Sequence, residues 1–180
     1  MKATGIVRRV DDLGRIVIPK EIRRTLRIRE GDPLEIYTEK DGDVIFRKYS
    51  PMGDMQDTAG RLCEAIHSTT GRIAAVADCD TIVALAGAPR RDLLEKPLVP
   101  ELEKQMRDRK SYCRQPGNPE RKVTAECDRF SLDAAVPILC QGDLIGSVLL
   151  LGEGNSVPEP LSGQAMIEAA ACFLGKQMEP

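Results

Sequence analysis

The chain has 180 residues and a formal net charge of -2, with 42% hydrophobic and 30% charged residues, which is the composition of a globular chain and not of a disordered one. That length allows one ordinary domain or two small ones, and no apolar run approaches the roughly 20 residues that span a bilayer. Six cysteines (63, 79, 113, 127, 140, 172) without a CxxC pair, a single His67, no Trp and three each of Phe and Tyr argue against a structural zinc site and against a multi-aromatic base-stacking platform.

Charge divides the chain. Residues 1–29 hold nine Lys/Arg against three acids, a net +6, whereas the remaining 151 hold 17 against 25, a net -8. A basic face on an otherwise acidic protein suits a polyanion; a solvated Arg-rich surface is the plain alternative. The opening residues Met1–Arg9 lack the apolar stretch of a secretory leader, so a cytoplasmic chain with reduced cysteines is expected.

In chain order, Thr4–Val10 alternates and is rich in β-branched residues, which predicts a strand. Asp11-Asp12-Leu13-Gly14 predicts a turn, and Arg15–Ile18 a second short strand. Pro19 suits the first position of a helix running to about Leu26. Its spacing places Ile18, Ile22 and Leu26 on a core face, and Lys20, Arg23, Arg24 and Arg27 on a basic stripe. Four cations unmatched by acids repel one another until an anion arrives, which favours nucleic-acid contact. The helix is too short and its apolar face too narrow to anchor in lipid. Leu34–Lys40 and Val44–Lys48 read as a hairpin around Asp41-Gly42-Asp43. Fifty residues bury little surface alone, so oligomerisation is expected.

The run Lys2-Ala3-Thr4-Gly5-Ile6-Val7-Arg8-Arg9-Val10-Asp11-Asp12-Leu13-Gly14-Arg15-Ile16-Val17-Ile18-Pro19-Lys20-Glu21-Ile22-Arg23-Arg24-Thr25-Leu26, continued by Gly31-Asp32-Pro33-Leu34-Glu35-Ile36-Tyr37, resembles the AbrB-type transition-state regulator domain. The resemblance implies a swapped-hairpin β-barrel made by two chains, with double-stranded DNA as partner. It implies DNA-contacting arginines at Arg8, Arg15, Arg23 and Arg24; Lys2, Arg9, Lys20 and Arg27 extend the same basic surface. The related MazE-like antitoxin branch ends in a toxin-wrapping tail, whereas this chain continues for about 130 residues with globular patterning. A sensor or antitoxin-like module whose basic patch meets a protein is the alternative reading.

Pro51 and Gly53 punctuate the chain, and residues 51–55 are expected as a linker. Beyond it, Met55, Ala59, Leu62 and Ile66 mark an amphipathic helix. Strands are predicted at Arg72–Asp78, Thr81–Ala86, Val123–Asp128, Leu132–Cys140 and Leu144–Leu151. Helices are predicted at Arg90–Glu95, about Pro100–Lys110 and Leu161–Met178. Pro137 suggests a bulge or an edge. The last helix is apolar on nearly every face and must be covered on several, either by its own sheet or by a partner chain as well.

This order resembles a GAF-like α/β sandwich, a small-molecule sensor fold in which residues 88–121 would roof a pocket. An AbrB-type domain (1–50) followed by a GAF-like sensory and oligomerisation domain (56–180), with the ending Ala169–Met178, resembles a family of sporulation regulators. The resemblance implies an α+β protein, a transcription regulator and not an enzyme, with an N-terminal dimer, a tetramer through the C-terminal helices, and an unidentified small-molecule effector. No catalytic residue, metal or cofactor is expected, nor a membrane partner; the expected location is the cytoplasm, at the nucleoid. Cys113, beside Arg114, is the one cysteine with a setting for a reactive thiolate, and buried, inert cysteines are commoner.

Overall fold

The computed structural model describes residues 5–154 and 162–179. The chain divides into two compact units, residues 1–49 and 50–180.

In the first unit, helix α1 (Lys20–Thr25) follows Pro19, and a hairpin of β1 (Leu34–Thr38) and β2 (Val44–Lys48) completes the regular structure. Helix α1 ends in a Schellman arrangement: the Ile28 N–H reaches the Arg23 carbonyl (2.8 Å) and the Arg27 N–H the Arg24 carbonyl (3.4 Å). Arg27 takes the left-handed position there (φ 52°), where glycine is usual. Across the hairpin Ile36 faces Phe46, and their neighbour Val44 extends one apolar face. The Lys48 ammonium pairs with Asp32 (2.9 Å), which also accepts the Arg29 N–H (2.8 Å) and ties the helix exit to β2.

The strands predicted at Thr4–Val10 and Arg15–Ile18 are not formed among the described residues. The segment holds only its turn: the Asp11 N–H donates to the Arg15 carbonyl (3.0 Å), and Gly14 (φ 77°) donates to the Asp11 carbonyl (3.0 Å). The reason is packing. Among the described residues of this unit only Pro19 is buried. Ile6, Val7, Val10, Ile16, Val17 and Leu26 are exposed, so Leu26 does not reach the core face expected of it.

The second unit begins earlier than the expected linker allowed. Residues Pro51–Asp54 form a helical turn, α2, with Pro51 in its first turn and Met52 fully buried, and the Ser50 hydroxyl bonds Asp78 (3.0 Å). Then come α3 (Gln56–Thr70), β3 (Ile73–Ala77), β4 (Ile82–Ala86), α4 (Arg90–Leu93), α5 (Pro100–Arg107), β5 (Tyr112–Cys113), β6 (Phe130–Cys140), β7 (Asp143–Glu153) and α6 (Ser162–Gln177). The five strands make an antiparallel sheet in the order β4-β3-β7-β6-β5.

Helices α3 and α6 cover one face, where Ala59, Cys63, Ile66, Ile167 and Leu174 pack on Val76, Val136, Val148 and Leu150. Helices α4 and α5 and their loops cover the other, where Leu93, Leu98, Leu102, Met106 and Val123 pack on Ala75, Leu132, Leu149 and Leu151. The predicted strand Val123–Asp128 is absent; only isolated bridges form there, Leu98 with Thr124 and Lys122 with Ser131. The fifth strand is instead the two-residue β5, which pairs with Ala134 and Ala135. Past those residues β6 is an edge on that flank, where Pro137, lacking an N–H, is tolerated. Gly175 lets α6 approach β6 closely, since a Cβ there would meet the Leu139 carbonyl oxygen.

Candidate nucleic-acid interface and a lateral cleft

The basic surface is assembled from three local devices. The first is the segment before the turn, which presents Arg8 and Arg9 to solvent. The second is the turn itself. Asp11 accepts hydrogen bonds from the N–H groups of Leu13 (3.1 Å) and Arg15 (2.7 Å) and from the Arg15 guanidinium (2.9 Å). Those bonds, the Arg15 N–H first, hold the Asp11 carboxyl below its ordinary range. Arg15 therefore projects from a fixed loop, with 68% of its side chain exposed. The third device is α1, which brings exposed Lys20, Arg23 and Arg24 onto one short helix, with exposed Arg27 just past its end. Among the described residues none of Arg8, Arg9, Lys20, Arg23 and Arg24 forms an ion pair, whereas Arg15 shares Asp11. Lys2 lies outside the described residues. The Asp32–Lys48 clamp went unread in the sequence; its signal was an acid just after Gly31, ahead of Pro33.

In the second unit a cleft of about 480 Å³ opens at the flank of the covered face, lined by Val99, Glu101, Leu102, Gln105, Glu120, Arg121, Lys122 and Leu132. Beneath the roof Leu93, Leu98, Leu102 and Met106 pack against the sheet. Beside the cleft lies a charge chain, anchored on buried Asp133, that sequence reading missed. Asp133, only 3% exposed, sits at a bulge of β6 and pairs with Arg72 (2.5 Å) and Arg114 (3.5 Å), and Arg114 reaches Glu120 (3.3 Å). An aspartate inside the apolar run Phe130–Ile138 was the available signal.

Cys63 and His67 take structural places. Burial pushes the Cys63 thiol up to about 12. His67 Nδ1 lies 2.8 Å from the Arg72 carbonyl oxygen, and Gly87 packs against its ring. Among the described residues no group of His, Cys, Asp or Glu is placed to hold a metal, and no helix is long and apolar enough to cross a membrane.

Residues 54–179 match the family described as stage V sporulation protein T C-terminal, transcription factor; residues 7–54 match the family of the MazE antitoxin. The chain is 42% identical over 179 residues to stage V sporulation protein T of Bacillus subtilis (strain 168), covering 99% of each. Its first unit is similar to the transition state regulatory protein AbrB of that organism, 63% identical over 51 residues, which are 28% of this chain and 52% of AbrB. The GAF domain/HD domain protein from Geobacter sulfurreducens superposes with a TM-score of 0.51 at 18% identity, over 72% of this chain and 93% of that one, which shows a GAF-like fold. The C-terminal family match and the full-length relative make the chain a transcription factor, a class that is not enzymatic. The chain belongs to the stage V sporulation protein T family.

Proposed function

We propose that the chain regulates sporulation genes by binding double-stranded DNA through its N-terminal unit, acting as an interleaved dimer of two such units. One observation carries the reading: unpaired cations on α1 and the preceding segment sit in a unit whose apolar residues have no core within one chain. In this reading a second copy supplies the missing strand partners and the covering apolar face. Arg8, Arg15, Arg23 and Arg24 are the principal contacts, with Lys2, Arg9, Lys20 and Arg27 on the surrounding phosphates.

Residues 1–50 form the DNA-binding domain, and residues 56–180 an assembly and sensing domain. Helix α6 presents Ala165, Ala169, Cys172 and Phe173 to solvent, an apolar stripe suited to a partner helix, so α3 and α6 join two dimers into a tetramer. The cleft beside α5 receives a small-molecule effector. The protein works in the cytoplasm, at the nucleoid. The MazE match over residues 7–54 motivates the second reading, a basic module that meets a protein partner; the transcription-factor family covering the rest of the chain favours DNA.

A salt titration on duplex DNA separates the two. Each neutralised phosphate steepens log K against log salt by about -0.9. Arg23→Ala or Arg24→Ala should flatten that slope and weaken binding by about 1–3 kcal/mol where base edges are also touched. Unchanged affinity in both variants removes this face as the DNA site.

A further inference from the structure

The walls of the lateral cleft carry a particular balance of charge. Lys122 is already neutralised by Asp128 (2.7 Å). Glu120 belongs to the chain Glu120–Arg114–Asp133–Arg72, two acids and two arginines that sum to zero. Two charges remain. Glu101, on the first turn of α5, makes no ion pair among the described residues. Arg121, from the 120–122 segment, donates to the neutral Gln105 amide oxygen (3.1 Å) and stacks its guanidinium 4.2 Å over the Tyr112 ring. Glu101 and Arg121 do not pair with each other. Val99, Leu102 and Leu132 add an apolar part to the lining.

We propose that this cleft takes a zwitterion with an apolar side chain, a free α-amino acid or a dipeptide. The ligand's carboxylate meets the Arg121 fork, whose planar donors suit bidentate recognition. Its ammonium meets Glu101, and its side chain lies on Val99, Leu102 and Leu132. Stacking and the Gln105 bond hold Arg121 in place before the ligand arrives, which lowers the ordering cost of binding. Other ligand classes fit less well. A phosphorylated ligand would face the Glu101 and Glu120 carboxylates, a simple cation would face Arg121, and an acyl chain would leave Glu101 unanswered. The volume, about 480 Å³, holds either zwitterion. The proposal rests on the effector reading of this cleft.

The test is calorimetry and hydrogen exchange on the full chain with six probes: L-leucine, leucyl-leucine, N-acetyl-L-leucine, which lacks the ammonium, L-leucine amide, which lacks the carboxylate, a nucleotide and a sugar phosphate. Leucine or the dipeptide should bind, and the better of the two identifies the source; each capped form should be weaker by about 10–100-fold, the worth of a charged hydrogen bond. Arg121→Gln and Glu101→Gln should each weaken the zwitterion by a similar factor, while Lys104→Gln, exposed on the same helix, should leave it unchanged. Hydrogen exchange should report protection at 99–105 and 120–122. Equal binding of a capped form overturns the zwitterion. Protection of those segments by a nucleotide or sugar phosphate, without binding of leucine or the dipeptide, keeps the effector cleft and overturns this ligand class. No protection from any of these probes overturns both.

Discussion

Ile36→Asp distinguishes a first unit that folds alone from one that folds only with a second copy. Ile36 is 61% exposed in the single chain and stands opposite Phe46 on the apolar face of the β1–β2 hairpin. If one chain were the folded unit, the change would remove a cross-strand contact and some strand preference, about 1 kcal/mol. If a partner chain covers that face, the same change buries a carboxylate among apolar groups and costs several kcal/mol. Twelve large hydrophobic side chains of this unit are exposed. Fully burying such a side chain contributes about 1.5–3 kcal/mol, and roughly half of that remains to be gained at each, so the order is 10 kcal/mol per chain. Association costs about 4–15 kcal/mol, so one buried charge consumes much of the surplus. The assay is hydrogen exchange of residues 34–48, with light scattering, over a hundredfold range of concentration, worth about 2.7 kcal/mol at a dimerisation equilibrium. Protection in that segment should rise with concentration in the wild type and collapse in Ile36→Asp. Protection that ignores both concentration and the substitution would refute the interleaved dimer.

Three further outcomes follow from local geometry. The Asp11 carboxyl is held below its ordinary value of 3.8, so the Arg15 turn is fully supported above that pH and loses support as pH falls through the lower folded-state value; amide exchange at Leu13 and Arg15 should show this, and Asp11→Ala should abolish it. Asp133→Ala leaves Arg72 and Arg114 facing each other without their shared acid, and should destabilise the second unit by about 3 kcal/mol in denaturant unfolding. Gly175→Val drives a side chain into the Leu139 carbonyl and should cost about 1–3 kcal/mol, with loss of amide protection in α6; an unchanged unfolding midpoint would refute the close approach.

The second unit was legible because its periodicities are strong. Ile73–Ala77 is buried along its whole length, and β6 and β7 alternate between the two packed faces, so the residues bury where their pattern directs. Val123–Asp128 misled because Val123-Thr124 is β-branched, while the segment earns only isolated bridges and spends its apolar residue plugging the covered face. The linker was misread because Pro51 and Gly53 look like punctuation, whereas Pro51 opens a helical turn and Met52 drives it into the core. The basic surface was legible as spacing on α1. The cleft's lining was not, because α5 and residues 120–122 converge only through tertiary packing, and the Asp133 carboxylate beside them is matched by Arg72, 61 residues away in sequence.

Residues 5–18 failed the strand prediction for a reason that bears on the proposed assembly. Their alternation is a strand's alternation, but a strand needs a neighbour for its N–H and C=O groups, and one chain offers these residues only a turn. The same shortage leaves Leu26 exposed on α1, the helix that carries Lys20, Arg23 and Arg24. Completing the core with a second chain therefore gathers two sets of like charge into one body. Apolar burial must overcome that repulsion in the free dimer, and polyanionic DNA removes it in the complex. In the proposed assembly DNA thus stabilises the dimer by linkage. Added salt acts with opposite signs on the two steps, screening the repulsion between paired α1 helices while weakening the hold on phosphate.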